Sequence, residues 1–527
     1  MVISLGWLQK RSVWYASLVL FNLFFVLVRI PFYTIIHTEY IDYDTPTYLF
    51  VAQQIRLSET LPMFHIRTPG YPLFVLFCQL FSNKLIGVVY VQTFLTWVAF
   101  NYLLFNIYQY FKSYALPASI ALIATTTSIP FLYHEVTIQT ENLFIFFLVL
   151  FICFIMRGLF SEQKYRYWLL VSTILGIELL IRPAALYLVG VIILLMIYLW
   201  QTKAKRGQFV SLLAPTLVIS LLLCSYNLFS IKRFTLSPFG NYNLAGMVMS
   251  FAQPRPEYPA YLNRAITESS NKMPQQFRNH ILNTWNMDVL QNSIIATYDY
   301  IHFSFYPSLR EQNNYNTSNE IDLFHAMSKD GNQVYKDNLK EHPTVFVRFF
   351  VSMFIDYLEN ISTSRRITYP AMSSPNNWLS LWLEKQYYEK PNLYGKLHGF
   401  QVSPITQEQA NIITNKSKHS FWWGFFEKFD TFQRIVFQQL FWIGLELISI
   451  LLALYKLFKD RWKNATALLV LIVGGIHLMA DTLNSLVMIS STRYASTTFL
   501  SVYISAALIG LVLPNKIGKF SFVNNPQ

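Results

Sequence analysis

Repeatedly along its 527 residues this chain stays apolar for close to the length of about 20 residues that carries a helix through the ~30 Å hydrocarbon layer of a bilayer. Inside that layer a backbone must satisfy its own hydrogen bonds, which leaves helices and closed barrels. The runs are too long and too continuous for alternating barrel strands. The pattern therefore predicts an all-α polytopic membrane bundle of about ten transmembrane helices, at roughly 13–36, 85–109, 115–132, 141–158, 167–182, 184–200, 208–228, 432–455, 464–485 and 493–513. Composition agrees: 53% of residues are hydrophobic and only 13% charged, about half the charged share of a soluble domain. The first run, from about Val13 to Ile36, is too long and aromatic for a signal-peptide core and lacks a small-residue cleavage site, so it reads as a retained helix.

The net charge of +13 raises the question of nucleic acid, but the basic residues form no single stripe and nucleic acid is not expected as a partner. They sit in alternate short segments: Lys10 and Arg11; Lys112; Arg157, Lys164 and Arg166; Lys203, Lys205 and Arg206; Lys456, Lys459, Arg461 and Lys463; Lys516 and Lys519. The positive-inside rule assigns these to the cytoplasm, with both termini. The opposite segments, 37–84, 133–140, the hinge at Arg182-Pro183, 229–431 and 486–492, then face the periplasm or lumen. A multi-pass cell (inner) membrane protein with its active site on the periplasmic or extracellular face follows as the expectation. The proline at the hinge leaves a second option, one long kinked re-entrant element in place of two helices.

Three parts are expected: an N-terminal transmembrane module with catalytic outer loops, 1–228; a mainly α extramembrane domain, 229–431; and C-terminal transmembrane helices, 432–527. The middle part turns polar, rich in Asn, Gln, Pro and Tyr, and its stretch 343–358 has amphipathic helical spacing. Cys78, Cys153 and Cys224 all lie in apolar runs without the spacing of a zinc site or disulfide framework, and read as packing residues.

The ionisable groups of the outward segments suggest chemistry. Loop one carries Asp42 and Asp44, then Arg67-Thr68-Pro69-Gly70-Tyr71-Pro72, between amphipathic stretches suited to lie in the interface. A carboxylate held there can take a proton from an attacking alcohol or amine, although Asp44-Thr45-Pro46 also has the form of a helix cap. Loop two supplies His134, Glu135 and Glu141; Glu141 can complement a helix N-terminus or bind a metal or sugar hydroxyl. A divalent metal is left open, because the spacing is not diagnostic. Arg182 and Arg493 stand at helix ends, where a guanidinium near hydrocarbon calls for a partner such as phosphate or snorkels to the interface. His477 and Asp481, one turn apart within an apolar run, are either a functional pair or a packing pair.

In these features the chain resembles the C-type (GT-C) membrane glycosyltransferases that use polyprenyl-phosphate sugars, and within them the branch of the protein O-mannosyltransferases and the lipid A aminoarabinose transferase. The resemblance rests on Asp44-Thr45-Pro46-Thr47-Tyr48 with Ala52, on Arg67 to Pro72, on Glu141 opening a helix, and on Arg493-Tyr494. Arg182-Pro183 and the segment Asn227 to Leu244 are similar as well. It implies a GT-C fold and an inverting transfer of a sugar from a polyprenyl-phosphate donor to an acceptor hydroxyl or amine. The loop-one aspartate, Asp44, is then the base, with Asp42 and Glu141 as further catalytic carboxylates. Arg67, Tyr71, Arg182, Arg493, Tyr494, His134 and Glu135 are implied on the substrate and phosphate side. This sequence departs from the protein mannosyltransferases in placing Tyr43 between Asp42 and Asp44. The acceptor, whether lipid, glycan or protein, is not implied. Two other readings stand beside this one: a glycan polymerase or ligase with a diphosphate-linked donor, and a lipid flippase or transporter.

Overall fold

The computed structural model describes residues 11–36, 39–42, 44–57, 67–237, 244–245, 248–249, 251–312, 320–359, 379, 396–397, 400–401, 407–436, 439–487 and 496–513. Nearly all of the secondary structure there is helical, apart from a short antiparallel pair, Lys396–Leu397 with Phe400–Gln401. Among the described residues, seven helices are long and apolar enough to cross a membrane: Arg11–Ile35, Ile86–Tyr110, Thr140–Phe160, Pro183–Gln201, Arg206–Ile231, Phe441–Lys459 and Ala465–Ser485. The protein is a multi-pass membrane protein.

The N-terminal elements in chain order are α1 (Arg11–Pro31), which runs into a π turn, α2 (Thr45–Leu57), α3 (Gly70–Gln79), α4 (Ile86–Tyr110), α5 (Ala115–Thr126), α6 (Ile129–Val136), α7 (Thr140–Phe160), α8 (Lys164–Ile181), α9 (Leu188–Gln201) and α10 (Arg206–Ile231). Helices α4, α7, α8 and α10 pack in series, and α1 lies on α5. Their shared core is built from large apolar side chains such as Phe100, Phe144, Phe151 and Trp168, all buried.

One of the expected spans is broken, and the hinge between two others resolves as expected. The run 115–132 is not one helix, because the chain bends by 63° between Lys112–Thr126 and Ile129–Val136. Ser128 is extended, Pro130 opens α6, and the hydroxyls of Thr125, Thr126 and Thr127 each bond the carbonyl four residues back, at 2.9, 2.8 and 2.6 Å. Hydroxyl back-bonding of this kind bends helices, and proline removes a donor. As a result His134 and Glu135, expected in an outer loop, are on a buried helix at 0% and 1% exposure. At Arg182 the chain is extended (φ −152°, ψ 113°) and continues as a 3-10 turn, Pro183–Tyr187, into α9. Two helices with a hinge are thus present instead of one kinked element. Helix α8 has the length of a span, but Lys164, Arg166 and Glu178 make it more polar than the other crossings.

Helices α11 (Ala260–Lys272), α12 (Gln275–Asn283), α13 (Met287–Gln312), α14 (Glu320–Glu341) and α15 (Pro343–Glu359) gather around a core of their own that includes Leu262, Ile266, Phe305 and Leu309. Helix α15 matches the amphipathic stretch expected there. After α16 (Gln407–His419), helix α17 (Phe421–Val436) packs its aromatic face on α1, where Phe24 meets Phe429, and on the π turn after it, where Phe32 meets Trp423 and Phe426. The expected span 432–455 begins later than its apolar count suggested, as α18 (Gln439–Lys459). It packs on α19 (Ala465–Val487) and on α20 (Phe499–Ala507), the α-helical portion described within the last expected span.

Candidate active site

Loop one is fastened to the segment between α6 and α7 as a short parallel strand. Tyr40 N–H donates to Val136 O at 3.0 Å, and Ile138 N–H donates to Tyr40 O at 3.1 Å. Thr45 Oγ1, at the start of α2, accepts from Asp42 N–H (2.9 Å) and donates to Ile138 O (3.0 Å). These bonds bring the two expected acids into different settings. Asp42 is 1% exposed, and its carboxylate accepts from Tyr133 Oη at 2.8 Å and from Gln139 Nε2. Asp44 faces outward with a side chain 28% exposed, and pairs with Arg67, whose side chain is 22% exposed.

Arg67 is oriented from three directions. Its Nη2 donates to Asp44, its Nε donates to Thr47 Oγ1 at 2.8 Å, and its guanidinium lies 4.7 Å from the centre of the Tyr48 ring. Tyr48 stands edge-on to Tyr71 at 5.2 Å, and Tyr71 Oη donates to Gln92 Oε1 at 2.9 Å. Burial pushes the Tyr71 phenol well above its ordinary range, with Cys78, Tyr48 and Glu141 adding to the effect. The phenol therefore stays a donor.

The same loop docks on the end of α8. Thr68 Oγ1 donates to Ile181 O at 3.2 Å, and Gly70 lies so close that an added Cβ would be 2.7 Å from the Leu180 carbonyl and the Ile181 nitrogen. The next residue is Arg182, whose Nη1 is 3.5 Å from Glu141 Oε1, the buried carboxylate in the first turn of α7. Glu141 Oε2 also accepts from Thr140 Oγ1 at 3.2 Å. Asp44, Arg67, Tyr71, Glu141 and Arg182 are thus assembled at one end of the bundle. Arg493 and Tyr494 lie outside the described residues.

Glu135 is placed elsewhere. It receives two bonds from Arg29 of α1, Nε to Oε1 at 2.8 Å and Nη2 to Oε2 at 2.5 Å, and a third from Thr93 at 2.8 Å. Arg29 also covers the Phe25 ring at 3.4 Å and donates to Phe25 O and Thr126 O. An arginine within the first apolar run is the signal that points to such a partner. His134 is buried against Tyr133. Deeper in the bundle, His477 and Asp481 are joined by Glu446 of α18. His477 Nδ1 is 3.1 Å from Glu446 and its Nε2 is 2.9 Å from Asp481, all three at 0% exposure. Helix α19, which carries His477 and Asp481, packs on the Pro183–Tyr187 turn that follows Arg182. Among the described residues, no group of three or more His, Cys, Asp or Glu is arranged to hold a metal ion.

No family model and no curated protein matches the chain. Among solved structures it is similar to the oligosaccharyltransferase of Archaeoglobus fulgidus in its apo form, at 12% identity over 95% of this chain and 50% of that one, with a TM-score of 0.39. It is also similar to ArnT from Cupriavidus metallidurans in the apo state, at 10% identity over 95% of this chain and 78% of that one, with a TM-score of 0.33. The same protein bound to undecaprenyl phosphate matches over 91% of this chain and 78% of that one, at 10% identity and a TM-score of 0.33. The chain spans half the length of the archaeal oligosaccharyltransferase. These neighbours are C-type membrane glycosyltransferases, the class the sequence resembles. Similarity this distant leaves the functional reading to the residues themselves.

Proposed function

We propose that this protein is an inverting membrane glycosyltransferase that takes a sugar from a polyprenyl-phosphate donor at the periplasmic or extracellular face and passes it to an acceptor hydroxyl or amine. The observation that carries the reading is the Asp44–Arg67 pair at the mouth of the site with Glu141–Arg182 beside it, joined through the Thr68–Ile181 bond. A proton acceptor next to anion-binding guanidinium groups is what transfer from a glycosyl phosphate requires.

Asp44 is assigned as the base in preference to Asp42, because Asp44 is partly open while Asp42 is sealed under two donors. In the reaction Asp44 takes the acceptor proton and the nucleophile forms its bond to C1. The C1–O bond to phosphate breaks on the opposite face with its electron pair passing to the phosphate oxygen, which inverts the anomeric centre. Charge grows on the phosphate as it leaves. Arg67 and Arg182 offset that charge through preorganised donors. Tyr71 supports Arg67 through Tyr48, and Glu141 holds Arg182. Replacing a general base lowers rate by about 10²–10⁴-fold. Asp44→Asn, purified in lipid nanodiscs with a polyprenyl-phosphate sugar, is expected to lose that much turnover. Transfer at the parental rate would sink the assignment.

The Glu446–His477–Asp481 cluster favours a second reading, a lipid or ion-coupled transporter, because such proteins bind their cargo near the middle of the membrane. Release of free polyprenyl phosphate supports transfer; unmodified lipid crossing a sealed vesicle supports transport.

A further inference from the structure

Gln92, in the second turn of the apolar helix α4 and fully buried, spends both hydrogens and the carbonyl oxygen of its amide on the frame of the site. Its Oε1 accepts from Tyr71 Oη at 2.9 Å, and its Nε2 donates to Glu135 O at 3.0 Å and to Thr137 O at 3.2 Å. On one side, therefore, it holds the 135–138 backbone to which Tyr40 is zipped and from which Thr45 hangs, the frame that places Asp44. On the other side it holds Tyr71, which supports Tyr48, on which Arg67 rests. The anchor is firm, since Arg29 and Thr93 grip the Glu135 side chain in the same place.

We propose that Gln92 is a positioning residue, touching no substrate, that sets the separation and orientation of Asp44 and Arg67 from both sides through Tyr71 and the 135–138 backbone. The physical reason is stoichiometric. A buried amide with both hydrogens and its oxygen engaged has one orientation, and each lost bond leaves a polar group stranded in an apolar interior. An aromatic stack without that tether keeps its packing but loses its rotation. The proposal rests on the transferase reading only for its effect on rate; the geometric claim stands apart from it.

The test uses the full chain in nanodiscs and reads two quantities. The first is labelling of Asp44 by a water-soluble carbodiimide with a small amine, mapped by mass spectrometry. Asp44 is partly open and held by Arg67, so loosening Arg67 is expected to raise its labelling several-fold in Tyr71→Phe and in Gln92→Leu. The rise in the double variant is expected to be smaller than the two single rises added together, because the substitutions share the Tyr71–Gln92 bond, although Tyr71→Phe also removes a contact with the Gln139 backbone and Gln92→Leu also releases two carbonyls. Glu178, fully buried, reports folding by staying unlabelled, and exposed Asp460 reports reagent strength. The second quantity is transfer from a polyprenyl-phosphate sugar, expected to fall about tenfold in turnover with donor KM unchanged, the signature of a small misplacement of the reacting groups.

Parental labelling of Asp44 in Tyr71→Phe, with Glu178 still protected, overturns the proposal. If Gln92→Leu exposes Glu178 it has unfolded, and Tyr71→Phe, which removes one oxygen and keeps the ring, decides alone. Raised labelling in proteins that show no transfer, the parent included, supports the positioning role and removes the transferase reading instead.

Discussion

Substituting Gly70 by alanine isolates the docking of loop one on α8. The new methyl group would meet the carbonyl carbon and oxygen of Leu180 and the nitrogen of Ile181 at 2.7 Å, well inside the 3.4 Å at which ordinary contact begins. All three are backbone atoms at a helix end, so none can rotate away. The loop has to retreat by roughly 0.7 Å, which stretches the Thr68–Ile181 bond and carries Arg67 away from Arg182. Overpacking of this kind costs about 1–3 kcal/mol, and displacement of a site by about 1 Å costs about 10²-fold in rate. Gly70→Ala is therefore expected to lower turnover by about 10- to 100-fold and to lower the melting temperature in detergent. Gly424→Ala in α17 serves as the control, since nothing lies within 4 Å of its added methyl group. Parental turnover and melting in Gly70→Ala, or equal losses in both variants, would refute the reasoning.

Three more outcomes are expected. Arg29→Ala strands Glu135 in the bundle and is expected to destabilise the protein by about 3–5 kcal/mol, whereas Arg29→Met combined with Glu135→Leu recovers most of it; thermal melting in detergent measures both. Arg182→Ala is expected to lower transfer by about 10²–10³-fold, the usual effect of removing one charge-stabilising donor, as read by turnover with saturating donor. Burial pushes the Cys78 thiol up to about 12, so little thiolate exists at pH 8, and maleimide labelling of the folded protein is expected to be slow and to speed up as pH rises. Labelling of Cys78 at the denatured rate at pH 8 would contradict this.

The apolar runs made most of the membrane helices legible, because a hydrophobic length says directly what it can cross. The break at Thr127–Ser128 was not legible: the run stays apolar through it, and what turns the chain is a set of hydroxyl bonds to its own backbone. For the same reason His134 and Glu135 looked like loop residues. In the sequence Asp44 stands ahead of Asp42 only through the family resemblance, and burial adds a physical ground for separating them. Arg67 and Gly70 were visible as a motif, but their docking on Ile181 joins positions 113 residues apart. The Arg29–Glu135 pair spans 106 residues, and neither partner names the other from composition alone. Gln92 was hidden most completely, as a neutral amide in an apolar helix whose partners are mainly backbone atoms.

The contact between Asp44 and Arg67 also makes each of the two groups a competitor for whatever the other would bind. A simple anion arriving at Arg67 has to break an existing attraction and leaves the aspartate without its counterpart, so inorganic phosphate gains little there. A molecule bearing a negative group for the guanidinium, together with a second molecule offering a hydrogen to the carboxylate, replaces both halves at once. Selectivity against single small ions, and a preference for donor and acceptor arriving as a matched pair, follow from that closed handshake.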